Sequence, residues 1–534
     1  MVQKKGQDFD DVKLDGGPEW QGDALRRRGL KTMTETMNES QLDLLLINPG
    51  GRDKIYQKLG VNLTAVEPPL WCRLIGGYAR DHDFSIEIID CEADNLETAA
   101  IAEKVKALAP RLVAMVVFGH QPSASTQQMA SAGEKCQAIK KQNQDIPIIM
   151  VGGHVSALPE RTLKEEAVDF VCKGEGPVTV AQLLDALKDD RTGGFEDVEG
   201  LAWMRDGEPV INPPAALIID LDRDLHGNVW DLLPMDKYRA HNWQCFGDFD
   251  ERQPYASVYT TLGCPYKCVF CCINSPFDIN RYRMRNPRAV VDEIALLHDT
   301  YGVKTFKIID EMFVLNDRHV NAICDLLIER DYDLNIWAYA RVDTVKPEIL
   351  DKLKHAGFRW LALGIESGSA HVRDGAEKGF SQDDIIAIVR KIQKAGIYVI
   401  GNFIFGLPDD DLDTMKQTYD LAVELNCEFI NLYSAMAYPG SPLYVQAVSK
   451  KLPLPENWSG FSQHSHDCQP LPTDHLSAAE VLGFRDQAFH DYFSNPRYLD
   501  MVTQAFGRDT RKHIEGMVRH RLKRKILEER DAAE

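Results

Sequence analysis

Three cysteines in one short segment carry the strongest chemical signal in the sequence. Cys264, Cys268 and Cys271 are spaced CxxxCxxC and directly follow an apolar run that predicts a strand. A tight loop with this spacing can bring three sulfurs together, and thiolates are the soft ligands that iron–sulfur clusters require. Three thiolates on a four-iron cluster leave one iron open for a substrate or cofactor. We therefore predict that these cysteines hold a [4Fe-4S] cluster.

A structural zinc site is the main alternative for the same cysteines. Such sites usually take four protein ligands from two paired half-sites, and no second CxxC pair occurs in the chain. Cys272 follows at once, but adjacent side chains usually point in different directions, so we expect it to be a packed thiol. The number of available ligands favours the iron–sulfur interpretation.

A series of strands and helices must position this loop. Apolar runs predict strands near 257–262, 304–309, 334–340, 359–364, 397–404 and 428–435. Periodic stretches predict helices near 287–301, 316–330, 346–356, 381–395 and 411–426. Six β/α units of this kind close most, but not all, of a barrel. Polar or glycine-containing motifs stand at the later strand ends: 308–311, 340–343, 364–369, 401–408 and 437–443.

The cysteine loop and these motifs, in this order, resemble the radical S-adenosylmethionine (SAM) superfamily over about 255–445. In that superfamily the open iron binds SAM through its amino and carboxylate groups. The resemblance implies SAM contacts from Phe270, Asp310, Arg341, Gly364, Glu366, Ser367 and Asn402. Glycine allows a close backbone approach, and Arg341 can pair with the SAM carboxylate. For Asp310 the alternative is that it only anchors its strand end.

An earlier series of elements begins at residue 42. Apolar runs predict strands at 42–47, 85–90, 112–119, 146–153 and 168–172. Helices are predicted near 70–81, 97–108, 124–143, 160–166 and 177–188, and a hairpin at 200–212. Alternation of this kind predicts an α/β fold with a doubly wound, Rossmann-like parallel sheet, which binds its ligand at the carboxyl ends of the strands.

The loops at those strand ends are rich in small and polar residues, which leaves room for a bulky, flat ligand. The first strand is followed by Asn-Pro-Gly-Gly-Arg at 48–52. This is not the GxGxxG of a dinucleotide site. The segments PPL, GGHxxxxxPE and GEG, upstream of CxxxCxxC, resemble the cobalamin-binding domain of cobalamin-dependent radical SAM enzymes over about 41–190.

This second resemblance implies a set of cobalamin contacts at the strand ends. They are Pro69, Leu70, Gly119, His120, Gln121, Ser123, Ser125, Thr126, Gly152, Gly153, His154, Gly174, Glu175 and Gly176. The chain lacks the DxHxxG motif whose histidine ligates cobalt in other cobalamin domains. We therefore expect that no such histidine holds the lower face of the cobalt, and that His120 and Gln121 mainly form hydrogen bonds.

The two resemblances together imply a C-methyltransferase. In such enzymes a 5′-deoxyadenosyl radical from SAM removes hydrogen from an unactivated carbon, and methylcobalamin supplies the methyl group. The cofactors carry this chemistry and the protein orients them. One alternative is a cobalamin-dependent radical SAM enzyme that rearranges or cyclises its substrate without methylation. Another is a non-catalytic cobalamin- or nucleotide-binding sensor with a structural metal.

The substrate is less clearly indicated. Tyr238, His241 and Trp243 lie just before the barrel and either contact a polar substrate or form a cover between domains. We expect a small-molecule or carrier-tethered substrate, of which a sugar, a nucleotide and a phosphonate are examples. The resemblance also implies an electron donor such as flavodoxin or ferredoxin.

Composition narrows the class of protein. Lys and Arg number 61 against 81 Asp and Glu, a net charge of −20, so binding to nucleic acid is not expected. No apolar run is long enough to span a membrane and the N-terminus is polar, which predicts a cytoplasmic protein. We divide the chain into a polar leader (1–40), a cobalamin-binding domain (41–190), a linker or cover (191–254), a partial (β/α)6 radical SAM barrel (255–445) and a mainly helical C-terminal region (446–534).

Overall fold

The first sheet of the protein has helices on both faces. The computed structural model describes residues 41–57, 63–188 and 194–533. Within them, the strands of this sheet are β1 (Leu44–Asn48), β2 (Ile86–Asp90), β3 (Leu112–Val116), β4 (Ile148–Val151), β5 (Phe170–Cys172), β6 (Leu201–Arg205) and β7 (Glu208–Ile211). The helices are α1 (Arg52–Tyr56), α2 (Leu70–Asp81), α3 (Thr98–Leu108), α4 (Ala124–Gln142), α5 (Gly153–Ala157), α6 (Pro159–Glu165) and α7 (Pro177–Lys188).

The strand order is β2-β1-β3-β4-β5-β6-β7. Strands β1 to β5 are parallel, and the β6–β7 hairpin adds antiparallel to β5. The doubly wound parallel sheet is therefore confirmed. The sheet also extends past the predicted domain boundary at residue 190, because the hairpin pairs with β5. Strand order reverses between β1 and β3, and their carboxyl ends form the crevice in which such sheets bind ligands.

The segment between the two sheets is a buried connection. It contains α8 (Leu221–Asp224) and short 3-10 turns at Trp230–Leu232, Met235–Lys237, Trp243–Cys245 and Phe249–Arg252. Trp230 and Tyr238 are almost fully buried. The guanidinium of Arg73, on α2, stacks 3.3 Å from the centre of the Trp230 ring. This connection is thus packed as core between the two sheets.

The second sheet has six parallel strands in the order β15-β14-β13-β12-β11-β8. They are β8 (Tyr255–Val258), β11 (Thr305–Ile308), β12 (Asn335–Arg341), β13 (Phe358–Glu366), β14 (Tyr398–Phe405) and β15 (Phe429–Ser434). The helices are α9 (Pro287–Tyr301), α10 (Asp317–Arg330), α11 (Leu350–His355), α12 (Ala370–Gly375), α13 (Gln382–Lys394) and α14 (Leu412–Leu425). The outer strands β8 and β15 do not pair in the described part of the chain, as predicted for a partial barrel.

The first predicted barrel strand is two strands in the structure. Strand β8 stays in the barrel, while β9 (Thr261–Leu262) leaves it and pairs antiparallel with β10 (Arg283–Met284). The cysteine loop lies between β9 and β10. The C-terminal region is helical, as predicted, with α15 (Pro442–Ser449), α16 (Ala478–Phe493), α17 (Pro496–Phe506), α18 (Arg508–Val518) and α19 (Lys525–Ala533).

One apolar core runs continuously from a face of the first sheet, through the buried connection, into the barrel. A second core covers the opposite face of the first sheet. This continuity explains why the chain from Leu42 onward forms one compact unit. No helix in the described ranges has the length and apolarity needed to cross a membrane. The predicted leader at 1–40 lies outside the described residues.

Candidate cofactor and substrate site

The cysteine loop is held in shape by its own backbone contacts. Gly263 has φ +86°, and a Cβ there would lie 2.0 Å from the carbonyl oxygen of Arg281. The Asn274 side-chain amide donates to the carbonyl of Cys264 at 3.2 Å. The loop therefore folds back over Cys264, and only a glycine allows this approach.

The three cysteines are chemically suited to an iron–sulfur cluster. All are free; Cys264 is buried, and Cys268 and Cys271 are partly exposed. Burial raises the pKa of Cys264 to about 11, so metal binding must displace its proton. Within the described ranges, no three His, Cys, Asp or Glu side chains converge as they would around one ion. A four-iron cluster binds each thiolate at a different iron and does not require that convergence.

A cavity of about 710 Å³ opens beside the cysteine loop. Five of the predicted SAM contacts line it: Phe270, Arg341, Gly364, Glu366 and Asn402. Arg341 donates to both carboxylate oxygens of Asp343 at 2.9 Å. Its Nη1 lies 3.8 Å from Cys268 Sγ, and its guanidinium lies 3.8 Å from the centre of the Tyr266 ring. Arg341 is thus held in place beside Cys268, one of the predicted cluster ligands.

Glu366 forms a buried ion pair that the sequence did not indicate. Its Oε1 lies 2.8 Å from Lys378 Nζ, and both side chains are at most 8% exposed. Glu366 has φ +67°, at a register shift between β13 and β14. A Cβ on Gly364 would lie 2.7 Å from Glu366 Oε1 and 3.2 Å from Lys378 Nζ. Gly364 therefore makes room for the pair at the cavity wall.

Two predicted SAM contacts do not line this cavity. Asp310 accepts hydrogen bonds from the backbone N–H and the hydroxyl of Thr260 at 2.6 and 2.5 Å, which ties β11 to the end of β8. The Ser367 hydroxyl bonds to Thr418 at 3.0 Å. The geometry gives both side chains a role in holding loops. The neighbour Glu311 lines the cavity instead.

A second, smaller cavity of about 60 Å³ lies between the carboxyl ends of the first sheet and the cysteine loop. Predicted cobalamin contacts line it: Leu70, Gly119, His120, Gln121, Ser125 and Gly153. Gln121, Pro122, Cys272 and Glu311 line both cavities. The small cavity is too small for a whole corrin ring, but it shares lining residues with the large one, which Ser123 also lines.

A buried histidine beside this crevice has an unused nitrogen. His154 Nδ1 bonds to the Thr126 hydroxyl at 3.1 Å, while its Nε2 is buried without a partner. Burial lowers the pKa of His154 to about 3, so the ring is neutral. A Cβ on Gly152 would lie 2.4 Å from the carbonyl oxygen of Val117. The loop after β4 thus offers one unpaired polar atom, His154 Nε2, and packs closely because Gly152 has no side chain. Both features fit the predicted role of this loop in holding a polar ligand.

The remaining predicted cobalamin residues lie in loops around the crevice. Pro69 precedes α2, and Gly174 and Gly176 have φ +149° and +113°. Glu175 forms a buried ion pair with Arg283 on β10 and accepts from the backbone of Ile218 at 3.2 Å. The Glu175 side chain therefore ties the first sheet to the cysteine-loop hairpin.

Of the predicted substrate residues, two line the large cavity. His241 and Trp243 stack with ring centres 5.4 Å apart, and Trp243 also contacts Trp337. Burial lowers the pKa of His241 to about 4. Tyr238 is fully buried, and its hydroxyl donates to Asp90 at 3.0 Å. Tyr238 thus acts as part of the cover between domains.

The structure adds cavity residues that no motif indicated. Aromatic side chains form much of the wall: Tyr56, Trp337, Tyr339, Phe429 and Tyr433, which stand beside Tyr438 of the predicted 437–443 motif. The C-terminal region also contributes to the wall, with Arg485 and His490 from α16 and Arg521 from the segment between α18 and α19. These residues are scattered along the chain, and their shared surface exists only after folding.

Comparisons with known proteins agree with this geometry. Residues 258–422 match the radical SAM superfamily, and residues 56–184 match the B12 binding domain. An uncharacterized methyltransferase of Pyrococcus horikoshii is 28% identical over 90% of this chain and 98% of its own length. An anaerobic magnesium-protoporphyrin IX monomethyl ester cyclase of Rubrivivax gelatinosus is 25% identical over 90% of this chain and 82% of its own.

A solved structure has the same fold. The radical S-adenosylmethionine methyltransferase TsrM from Kitasatospora setae, with cobalamin and a [4Fe-4S] cluster bound, superposes with a TM-score of 0.64 at 19% identity. The match covers 86% of this chain and 90% of that chain. A B12-binding domain followed by a radical SAM domain makes this protein a member of the cobalamin-dependent radical SAM enzymes, with a [4Fe-4S] cluster, SAM and cobalamin as cofactors.

Proposed function

We propose that the protein is a methyltransferase that acts on an unactivated carbon of a small or carrier-tethered substrate. When bound, the reduced cluster and SAM supply a 5′-deoxyadenosyl radical that removes hydrogen, and methylcobalamin supplies the methyl group. Similarity along nearly the whole of an uncharacterized methyltransferase supports methyl transfer as the outcome.

The observation that carries this proposal is the meeting of the two cavities. Gln121 and Pro122, from the loop after β3, line both, as do Cys272 and Glu311 from the barrel side. A substrate in the large cavity therefore lies beside the cysteine loop and also reaches the cobalamin crevice. Hydrogen removal and methyl delivery require this common access.

The chain's own residues bind, orient and exclude water. The predicted SAM contacts Arg341 and Glu366 are charged and held by Asp343 and Lys378, so they meet a ligand in a fixed geometry. Aromatic side chains, including Trp243, line much of the cavity and would limit the access of water to a carbon radical formed there.

The wall also bears on the substrate. Aromatic rings and amide side chains, including Asn402, Asn431 and Gln463, line one space. This mixture supports a substrate with an apolar or flat body and hydrogen-bonding groups. We propose an electron donor such as flavodoxin or ferredoxin, a cytoplasmic location and the domain order given above, with the first domain extended to the end of β7, as parts of the same account.

A second candidate is ring closure or rearrangement without methylation. It is favoured by the similarity to the magnesium-protoporphyrin IX monomethyl ester cyclase, which extends over 90% of this chain. The cavity residues are compatible with either outcome, because both begin with hydrogen removal.

Product mass separates the two candidates. The protein is purified without oxygen, reconstituted with iron, sulfide and cobalamin, and incubated with SAM carrying a CD3 group, a reductant and a small-molecule extract of the source cells. Methyl transfer predicts a new product with one CD3 group in place of one hydrogen. An unlabelled product that forms with 5′-deoxyadenosine supports the second candidate and refutes the first.

A further inference from the structure

A buried carboxylate connects the loop before α2 to the barrel. Glu67 Oε1 accepts a hydrogen bond from the Tyr255 hydroxyl at 2.9 Å and lies 3.2 Å from Lys307 Nζ. Tyr255 is on β8 and Lys307 is on β11, and both are at most 1% exposed. Neighbouring barrel strands thus hold one side chain of the cobalamin-binding domain.

The electrostatic balance keeps this carboxylate ionised. Burial alone would raise its pKa, but the nearby His120, Lys307 and His241 lower the pKa of Glu67 to about 2. The ammonium of Lys307 also lies 4.8 Å from the centre of the Trp337 ring. The pair is therefore a charged contact between domains, in which Lys307 is fully buried and Glu67 is mostly buried.

Pro68, the residue after Glu67, connects the Glu67 contacts to the cobalamin crevice. His120 Nε2 donates a hydrogen bond to the carbonyl of Pro68 at 2.7 Å, and its Nδ1 lies 3.4 Å from Glu67 Oε2. His120 lines the small cavity, and so does Leu70, at the start of α2. The position of Pro68 therefore sets the position of a ring in the crevice wall.

We propose that Glu67 is a positioning residue for cobalamin: its contacts with Lys307 and Tyr255 fix the 67–70 loop, and this loop holds His120 against the corrin. The proposal depends on cobalamin binding and is independent of whether the enzyme methylates or cyclises its substrate. Glu67 would act through His120 and would not touch the reacting atoms.

The test measures the dissociation constant of hydroxocobalamin and the visible and EPR spectra of the bound cofactor after reduction to Co(II). Glu67→Gln removes the charge at nearly constant size. Because this leaves Lys307 buried without its counter-ion, Glu67→Gln/Lys307→Met provides a neutral version of the contact that retains the packing. Tyr255→Phe removes one hydrogen bond only. Arg80→Gln breaks an exposed contact of α2 with Asp231 in the connection, away from the 67–70 loop, and is the matched control.

We expect the Glu67 variants to bind cobalamin at least tenfold more weakly and to alter its spectra, Tyr255→Phe to have a smaller effect in the same direction, and Arg80→Gln to have none. A double-mutant cycle that combines Glu67→Gln with His120→Phe distinguishes an effect on the position of His120 from a general loss of stability. If Glu67 acts through His120, the double variant Glu67→Gln/His120→Phe is no weaker than the worse single variant. A folded Glu67→Gln/Lys307→Met protein with cobalamin affinity within twofold of wild type, or fold-effects that multiply in the cycle, would overturn the proposal.

Discussion

The cysteine loop and the cobalamin crevice are assembled differently. The predicted cluster ligands Cys264, Cys268 and Cys271 belong to one loop, which contacts within the loop hold in shape. The crevice draws on the loops of the first sheet, the cysteine-loop hairpin and the end of β11. Buried contacts between domains, such as Glu175 with Arg283, hold these parts together. Changes in the loop should therefore affect one cofactor, whereas changes around the crevice should affect both stability and cofactor binding.

The largest effect is expected when one predicted cluster ligand is removed from the cysteine loop. Cys268→Ala should abolish cluster assembly and reductive cleavage of SAM, because two thiolates hold a four-iron cluster too weakly. Cobalamin binding should persist, because Cys268 does not line the small cavity. Iron and sulfide content, 5′-deoxyadenosine formation and cobalamin affinity are measured together.

The control for that variant is Cys272→Ala. Cys272 is buried in an apolar cluster with Met436 and Tyr438, so its loss should leave the iron content unchanged. Full iron content in Cys268→Ala, or loss of cobalamin binding with it, would contradict the local character of the loop.

The Glu366–Lys378 pair tests how the cavity wall is held. Glu366→Gln leaves a buried ammonium without its counter-ion, so the free energy of unfolding should fall by about 3 to 5 kcal/mol. Lys416→Met, in the exposed pair with Asp420, should cost about 1 kcal/mol or less. Denaturant unfolding of the two variants checks this, and equal losses would show that the Glu366 pair is not a buried structural contact.

Acid should weaken the protein through His154. The unfolded state binds a proton below the ordinary histidine pKa of 6.5, while the folded state does so only near pH 3, so stability present at pH 7 is lost as the pH falls between these values. Over about two pH units this amounts to about 2 to 3 kcal/mol. Unfolding of the apoprotein at several pH values should therefore depend less on pH in His154→Gln.

His355→Gln is the matched control, since it removes an exposed histidine. If His154→Gln and the wild-type protein show parallel pH profiles, His154 is not buried in its neutral form.

The smallest expected effect concerns Gly364. An added methyl group meets Glu366 and Lys378, and such overpacking typically costs about 1 to 3 kcal/mol. Gly364→Ala should also weaken SAM binding, measured by titration of the reconstituted protein. Gly516→Ala, in α18 with open space around its Cβ position, should leave SAM affinity unchanged and should not lower stability, because alanine favours a helix more than glycine does. Unchanged SAM affinity in Gly364→Ala would separate this glycine from the SAM site.

The sequence predicted the parts of the molecule that repeat a local pattern. Both parallel sheets follow from apolar runs at strand spacing, and the cysteine loop follows from CxxxCxxC. The split of the first barrel strand at Thr260 was not predictable, because Thr260 is held there by the buried hydrogen bonds that it donates to a distant residue, Asp310.

The candidate site divides in the same way. Motif residues such as Arg341 and Glu366 stand at strand ends, as predicted, and line the large cavity. Their partners differ: Asp343 lies in the same motif, whereas Lys378 comes from a loop without a recognisable pattern. The contact of Tyr238 with Asp90 joins residues far apart in the chain. Such pairings depend on tertiary packing, which strand and helix periodicity does not encode.

The most direct test measures the activity of both cofactors in one protein, and it can be done before a substrate is identified. Anaerobically reconstituted protein receives cobalamin, a reductant and SAM with a CD3 group, and the cobalamin is then extracted and weighed by mass spectrometry. We expect an iron–sulfur cluster and cobalamin in the same protein, formation of 5′-deoxyadenosine, and a CD3 group on the extracted cobalamin. Protein that retains the cluster but binds no cobalamin, or whose cobalamin never acquires the label, would contradict it.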